Sequence, residues 1–354
     1  MAQIVELSLE PYIHLPDSRL SEGVTYMAKA RNLLWVDIFR GEIHKVTDID
    51  NPASSHDFIA ISSENYRGKY PCDAAYPERV GVVFPIETEE GVDKVLFASK
   101  YGIGITEFST KSWEYLVLYS SCEKLSRKDF SRLRTNDGNV APNGELYVGL
   151  MNDFHVGVDT SKPAEGCLLR INIPERKVQL VLDQVYIPNS INWNQDKSIM
   201  YLTDSLNFTI WSIPYADNAP DLDAKHKFAE FKGLNKEFES PEPDGSVVDF
   251  RDGLLYSAVW STHKVQCFDA LGNLVKELVF PDAARISCCC IGADGDLFVT
   301  TGNLNVENGG GEDKGGCLYR VSSSFVSGQG TVISSKGQPL VWATTHLSDF
   351  SSNR

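Results

Sequence analysis

The stretch Arg132–Met151, RLRTNDGNVAPNGELYVGLM, decides the architecture. It carries two glycine steps, Asn136-Asp137-Gly138 and Pro142-Asn143-Gly144, and the second runs into a short apolar strand, Glu145–Leu150. An Asn-Gly or Asp-Gly step ordinarily marks a hairpin turn, because glycine accepts positive φ at little cost. Here Asn-Asp-Gly reads as a turn about ten residues ahead of the strand, with a second turn between them. A single hairpin does not need both.

The same arrangement recurs outward from this stretch in both directions. A polar residue in a turn is followed about ten residues later by an apolar strand, and then by another strand. Copies begin at Ser21 (SEGVTYMAKARNLLWVDIFRGEIHKV), Thr135, Pro188 (PNSINWNQDKSIMYLTDSLNFTIWSI), Pro243 (PDGSVVDFRDGLLYSAVWSTHKVQCFD) and Ile286 (ISCCCIGADGDLFVTTG), with a degenerate copy from Cys72. The anchoring residues are Glu22, Asp73, Asn136, Asn189, Asp244 and Ser287, about 53 residues apart on average. That period matches kelch-type blades. Six units of about four strands predict an all-β chain, a six-bladed β-propeller with a central channel, built as a single domain over residues 1–354. A β-sandwich would repeat its strands every 8–12 residues without this longer period.

The connecting segments fit this reading. QIVELSLEPYIHL, near the N-terminus, reads as the outer strand of the last blade, closing the ring and covering an edge. Pro214–Glu242 is polar and charged and reads as a long connection holding one outer strand. Asn305–Gly316 is rich in glycine but lacks the Gly-Lys-Ser/Thr ending of a phosphate loop, so it reads as a mobile surface loop.

Composition narrows the partners. A net charge of −15 over 354 residues excludes nucleic acid and anionic membrane as expected partners, and it concentrates cations. The N-terminus has no basic segment followed by an apolar one, and no apolar run approaches a membrane span. A cytoplasmic location is expected, with the nucleus as a second compartment, and a monomer or weak oligomer as the state. Eight cysteines include no Cys-x-x-Cys pair. The run Cys288-Cys289-Cys290 reads as a buried strand whose thiols pack as small hydrophobes on opposite faces, in a reducing compartment.

Equivalent residues of a propeller converge on its channel, so the anchors form a ring. Glu22, Asn189 and Asp244 would supply two carboxylates and an amide. Hard oxygen donors of this kind suit calcium, magnesium or manganese better than a structural zinc site. Two close carboxylates repel unless a cation lies between them. Spacing alone equally allows each residue to cap its own turn.

Four segments together resemble the senescence marker protein (regucalcin) and gluconolactonase family, in the family's order and over most of the chain. They are SEGVTY with LLWVDIFRGEIHKV, RLRTNDGNVAPNGELYVGLM, IPNSINWNQDKSIMYLTDS and PDGSVVDFRDGLLYSAVW. The resemblance implies metal-dependent opening of a sugar lactone, a carboxylic ester hydrolysis. It implies one divalent ion (calcium, zinc, magnesium or manganese) on Glu22, Asn189 and Asp244, and contact of Arg134 and Asn136 with the lactone. Asp244 is the candidate base, and Asp137 is expected to stabilise its turn. The sequence departs from the family pattern at Ser190, where a glycine is usual. It also departs near Asp153 and Phe154, where the family has an acidic residue that can touch substrate, and in the acidic insertion PIETEEGVD of the second unit. The seven histidines are scattered and no Gly-x-Ser-x-Gly elbow is present, so a serine nucleophile is not expected. The rival readings are a calcium-binding regulatory protein using the same residues, a non-enzymatic interaction propeller, whose Trp-Asp signature is missing, and a hydrolase of aryl esters or phosphoesters with a wider, more apolar pocket.

Overall fold

Short strands dominate the computed structural model, which describes residues 2–88, 91–292 and 294–326. They form six sheets. The innermost strands are Ser21–Met27, Val82–Pro85, Leu133–Val140, Pro188–Trp193, Glu242–Val248 and Arg285–Ile291. Each packs against the next around a circle, and the last closes on the first. The fold is therefore the six-bladed β-propeller. An innermost strand has a neighbouring blade on either side, so both of its faces are covered. This is why these strands are buried almost throughout instead of alternating.

Within each blade the chain runs outward by antiparallel pairing. The second strands are Asn32–Asp37, Lys94–Ala98, Leu146–Asn152, Ile199–Asp204, Leu255–Trp260 and Leu297–Gly302. The start of each innermost strand therefore lies beside the end of its second strand, all on one face of the propeller. The polar segment Pro214–Glu242 supplies the fourth blade's outer strand, His226–Glu230, as read. Cys288 and Cys290 pack in one core cluster and Cys289 in another, and all eight cysteines are free thiols. Among the described residues no helix is long and apolar enough to cross a membrane.

Three expectations need correction. First, the N-terminal strand does not join the last blade. Gln3–Glu6 pairs in parallel with Leu274–Val279 at the edge of the fifth, and Ile13 touches the sixth through an isolated bridge to Leu318. Leu7, with Val5 and Leu9 beside it, packs into the core shared by blades five and six, so the segment seals that seam.

Second, Asp73 does not anchor the second blade. It is exposed in the loop before the blade, where its Oδ1 accepts a hydrogen bond from the Ala75 N–H at 2.9 Å. The place beside the channel belongs to the apolar pair Val80-Gly81. A Cβ on Gly81 would lie 2.3 Å from the Asn136 carbonyl oxygen, so the contact between blades two and three requires glycine.

Third, Asn136-Asp137-Gly138 is not a turn. It lies inside the innermost strand of blade three, at a β-bulge between Thr135 and Gly138. Gly138 has no positive φ; a Cβ there would lie 2.5 Å from the Tyr147 carbonyl oxygen. Close backbone approach, not turn geometry, demands this glycine. The second step is a turn as read: Gly144 has φ 84° and its N–H bonds the Ala141 carbonyl.

The bulge recurs in blades one, three, four, five and six. Register breaks between Glu22 and Thr25, Thr135 and Gly138, Pro188 and Ile191, Pro243 and Ser246, and Ile286 and Cys288. A bulge sets two residues against one and re-aims their side chains. Glu22, Asn136, Asn189, Asp244 and Ser287 all sit at these bulges.

Candidate active site at the channel mouth

The strand starts and neighbouring strand ends surround a cavity of about 190 Å³. Glu22, Arg134, Asn136, Asn189 and Asp244 all line it. They come from blades one, three, four and five, so only the closed ring brings them together. Ser287 does not line it; its hydroxyl donates to the Ser21 carbonyl at 2.6 Å and locks blade six to blade one.

Hydrogen bonds fix the polar groups. Asn189 Nδ2 donates to Asp244 Oδ1 at 2.5 Å and to Ser205 Oγ at 3.2 Å. Glu22 Oε2 accepts from the Gly23 N–H at 2.8 Å. Arg134 Nη1 donates to Asn136 Oδ1 at 3.0 Å and to the Thr135 carbonyl at 2.9 Å, while Asn136 Nδ2 reaches the Pro188 carbonyl at 3.3 Å. Asp137 Oδ1 accepts from the Gly138 N–H at 2.7 Å, inside the bulge.

The electrostatics are unusual for neutral pH. Burial drives the Asp244 carboxyl up to about 8; the negative charges of Asp137 and Glu242 push the same way, against the Asn189 amide and a hydrogen bond with Glu22. Burial lowers the Arg134 guanidinium to about 10, with Asp153 opposing, Arg79 adding to the shift, and Glu22 and Asp244 opposing. Perturbation by desolvation in a cleft is a mark of functional sites.

The departures resolve into distinct roles. Ser190 has no positive φ, and its hydroxyl accepts from the Ser246 N–H at 2.9 Å and from Asn192 Nδ2 at 2.9 Å. The side chain that replaces glycine thus ties blade four to blade five. Asp153 is wholly buried and paired with Lys100, outside the cavity, whereas Phe154 lines it. In the acidic insertion, Glu87 accepts from the Ala30 N–H, while Glu89 and Glu90 lie outside the described residues.

Reading the sequence missed Ser205, Glu242, Trp260, Ile187 and Val306, which also line the cavity. Trp260 ends a second strand and Ser205 follows one, so the rule that second-strand ends face the channel mouth would have found both. Val306 belongs to the glycine-rich segment, and Arg19 Nη1 holds its carbonyl at 3.0 Å.

Among the described residues, no three His, Cys, Asp or Glu side chains group as metal ligands. The set here is two carboxylates and an amide. It fits a hard divalent cation on charge: the carboxyls of Glu22 and Asp244 are drawn together in a buried place where Asp244 retains a proton at neutral pH. A cation would serve in place of that proton. A half-turn of the Asn189 amide exchanges its nitrogen for its oxygen.

Comparison with known proteins agrees with this architecture. Residues 20–303 match the model of the SMP-30/Gluconolactonase/LRE-like region. The protein YBR053C of Saccharomyces cerevisiae is 43% identical, over 96% of this chain and 98% of its own. Pentonolactonase XacC of Haloferax volcanii is 25% identical, over 86% of this chain and 90% of its own. A solved structure of a calcium-binding protein, regucalcin, from Agrobacterium tumefaciens superposes with a TM-score of 0.69, at 19% identity over 96% of this chain and 98% of its own. The chain belongs to the SMP-30/gluconolactonase/LRE-like family.

Proposed function

We propose that the protein is a metal-dependent hydrolase that opens a small lactone, with a sugar lactone as the starting expectation. One observation carries the reading: Glu22, Asn189 and Asp244 share a single cavity with Arg134 and Asn136, although they come from four blades. A relative named as a pentonolactonase supports the reaction class.

Glu22, Asn189 and Asp244 are the residues that would hold the ion. When bound, a divalent cation supplies Lewis-acid polarisation of the lactone carbonyl. Arg134 and Asn136, already tied to each other, orient the substrate through its hydroxyl and ring oxygens. The buried Nε of Arg134 has no hydrogen-bond partner among the described residues and is a ready donor. Asp244 takes the proton of the attacking water in its carboxylate form, the form that a bound cation would favour. Holding substrate and water in this geometry contributes several kcal/mol to lowering the barrier. Cytoplasmic location and a monomeric or weakly oligomeric state complete the reading.

The test is a screen of the purified protein, loaded in turn with calcium, magnesium, manganese or zinc, on pentono- and hexonolactones with proton release as the readout. Ring opening above the spontaneous rate with one of these ions is expected. No ring opening with any ion would overturn the reading.

A further inference from the structure

Polar and apolar side chains share the lining of the cavity. Glu22, Asn136, Asn189 and Asp244 sit at the bulges of the innermost strands and with Arg134 form a polar floor, to which Ser205 and Glu242 add a hydroxyl and a carboxyl. The apolar members include Leu20, Met151, Phe154, Ile187, Trp260 and Val306. These come from second-strand ends and the loops around them, and they form an apolar collar that only Glu242, the register partner of Trp260, and Ser205 interrupt among the described residues. A ring hydroxylated at every carbon would set part of its hydroxyls against the collar without partners, which is unfavourable.

The two aromatic members are held firmly. The Phe154 ring lies 4.5 Å from the Arg134 guanidinium and 5.2 Å from that of Arg79, and it meets Phe39 at 5.2 Å. Arg285 sits 5.3 Å from the Trp260 ring. Rings fixed by such contacts form a wall of set shape. The cavity, about 190 Å³, is somewhat larger than the roughly 150 Å³ apolar cavity that accepts benzene. It is smaller than the roughly 300–1,000 Å³ of pockets for drug-sized ligands. It therefore accommodates one small ring and a short substituent.

We propose that the preferred substrate is a monocyclic lactone bearing a short hydrocarbon arm, with its ester toward the polar floor and its arm against Phe154 and Trp260, which select it. This rests on the lactonase reading and narrows its substrate class away from fully hydroxylated sugars.

The test compares kcat/KM for glucono-δ-lactone, δ-valerolactone, δ-hexalactone and δ-octalactone, using the protein loaded with its most activating ion. The expected result is a rise of about three- to tenfold per added methylene along the alkyl series, with δ-octalactone preferred over glucono-δ-lactone. Phe154→Ser should flatten the series and Phe154→Leu should keep most of its slope. Trp260→Ser is the second variant, and it carries the test if Phe154→Ser does not fold. Turnover of glucono-δ-lactone with no gain along the alkyl series overturns the arm and leaves the lactonase reading standing. A slope unchanged in both serine variants overturns the role of the two rings. Absence of turnover on every lactone overturns the lactonase reading and the arm with it.

Discussion

Asp153 and Asp244 are both buried aspartates near the same channel, yet their surroundings drive their carboxyls in opposite directions. Burial alone would raise both. At Asp153 the effect is more than offset by the hydrogen bond and charge of Lys100, then by Arg134 and Arg79, and the carboxyl stays below its usual value. Lys100 Nζ lies 2.5 Å from it with both side chains fully buried, and also donates to the Ser131 and Leu133 carbonyls at 2.9 Å each. That cluster is balanced. At Asp244 the neighbours are an amide and further acids, and the carboxyl rises to about 8. One cluster already contains its cation, and the other is where we propose that a cation binds. Balanced buried charge holds structure together; unbalanced charge lining a cavity is where binding and chemistry are expected.

The pH dependence of stability should separate the two most widely. Metal-free, unfolded Asp244 loses its proton near pH 4, whereas the folded protein keeps it to about 8. Between those values the folded state binds more protons, so stability falls as pH rises and levels off above the window. The fall is on the order of several kcal/mol. Asp153 acts in the opposite sense: its contribution is present above the usual aspartate value and is lost as pH falls through its lowered one. Denaturant melts across pH should show the decline for the wild type and lose most of it in Asp244→Asn.

Lys100→Met should break the balanced cluster, leaving Asp153 buried and unpaired, and should destabilise the fold by about 3–5 kcal/mol. Chemical denaturation measures this directly; a loss under about 1 kcal/mol would show that water or Arg79 compensates. Asp244→Asn should do the reverse, lowering hydrolysis by about 10²-fold or more while the metal-free fold is at least as stable as the wild type at neutral pH. Retention of more than half the rate would move the base elsewhere. The smallest effects belong to the substrate-facing pair. Asn136→Asp and Arg134→Lys should each raise KM about tenfold, because an added acid disturbs the floor and a point charge does not replace a planar fork. Wild-type kinetics in both would make the stretch structural.

The architecture was legible because closure of the ring repeats one local problem. The innermost strands of blades one, three, four, five and six bulge beside the channel, and each bulge leaves a polar residue followed by a strand about ten residues on. Blade two was misread because Val80 and Gly81 stand at that place, and an apolar pair gives no polar mark to count. Asn136-Asp137-Gly138 was misread as a turn because a glycine chosen for close approach looks, in sequence, like one chosen for positive φ. Glu22, Asn136, Asn189 and Asp244 could be named because they sit at the repeat itself, and Arg134 because its segment resembles that of the family. The rest of the apolar collar could not be named, since Leu20, Ile187 and Val306 lie outside the bulges and become neighbours only when the ring closes. Phe154 was noticed only as an alternative to Asp153; which of them faces the cavity depends on the buried partner Lys100, more than fifty residues away.

The central claim is that Glu22, Asn189 and Asp244 hold a divalent cation in place of the Asp244 proton. Calorimetric titration of chelator-stripped protein with calcium, magnesium, manganese and zinc at pH 7, repeated in buffers of different ionisation enthalpy, tests it most directly. The account predicts binding of one ion with release of about one proton, and loss of both in Asp244→Asn. Absence of binding by all four ions, or binding without proton release that persists in Asp244→Asn, would contradict it.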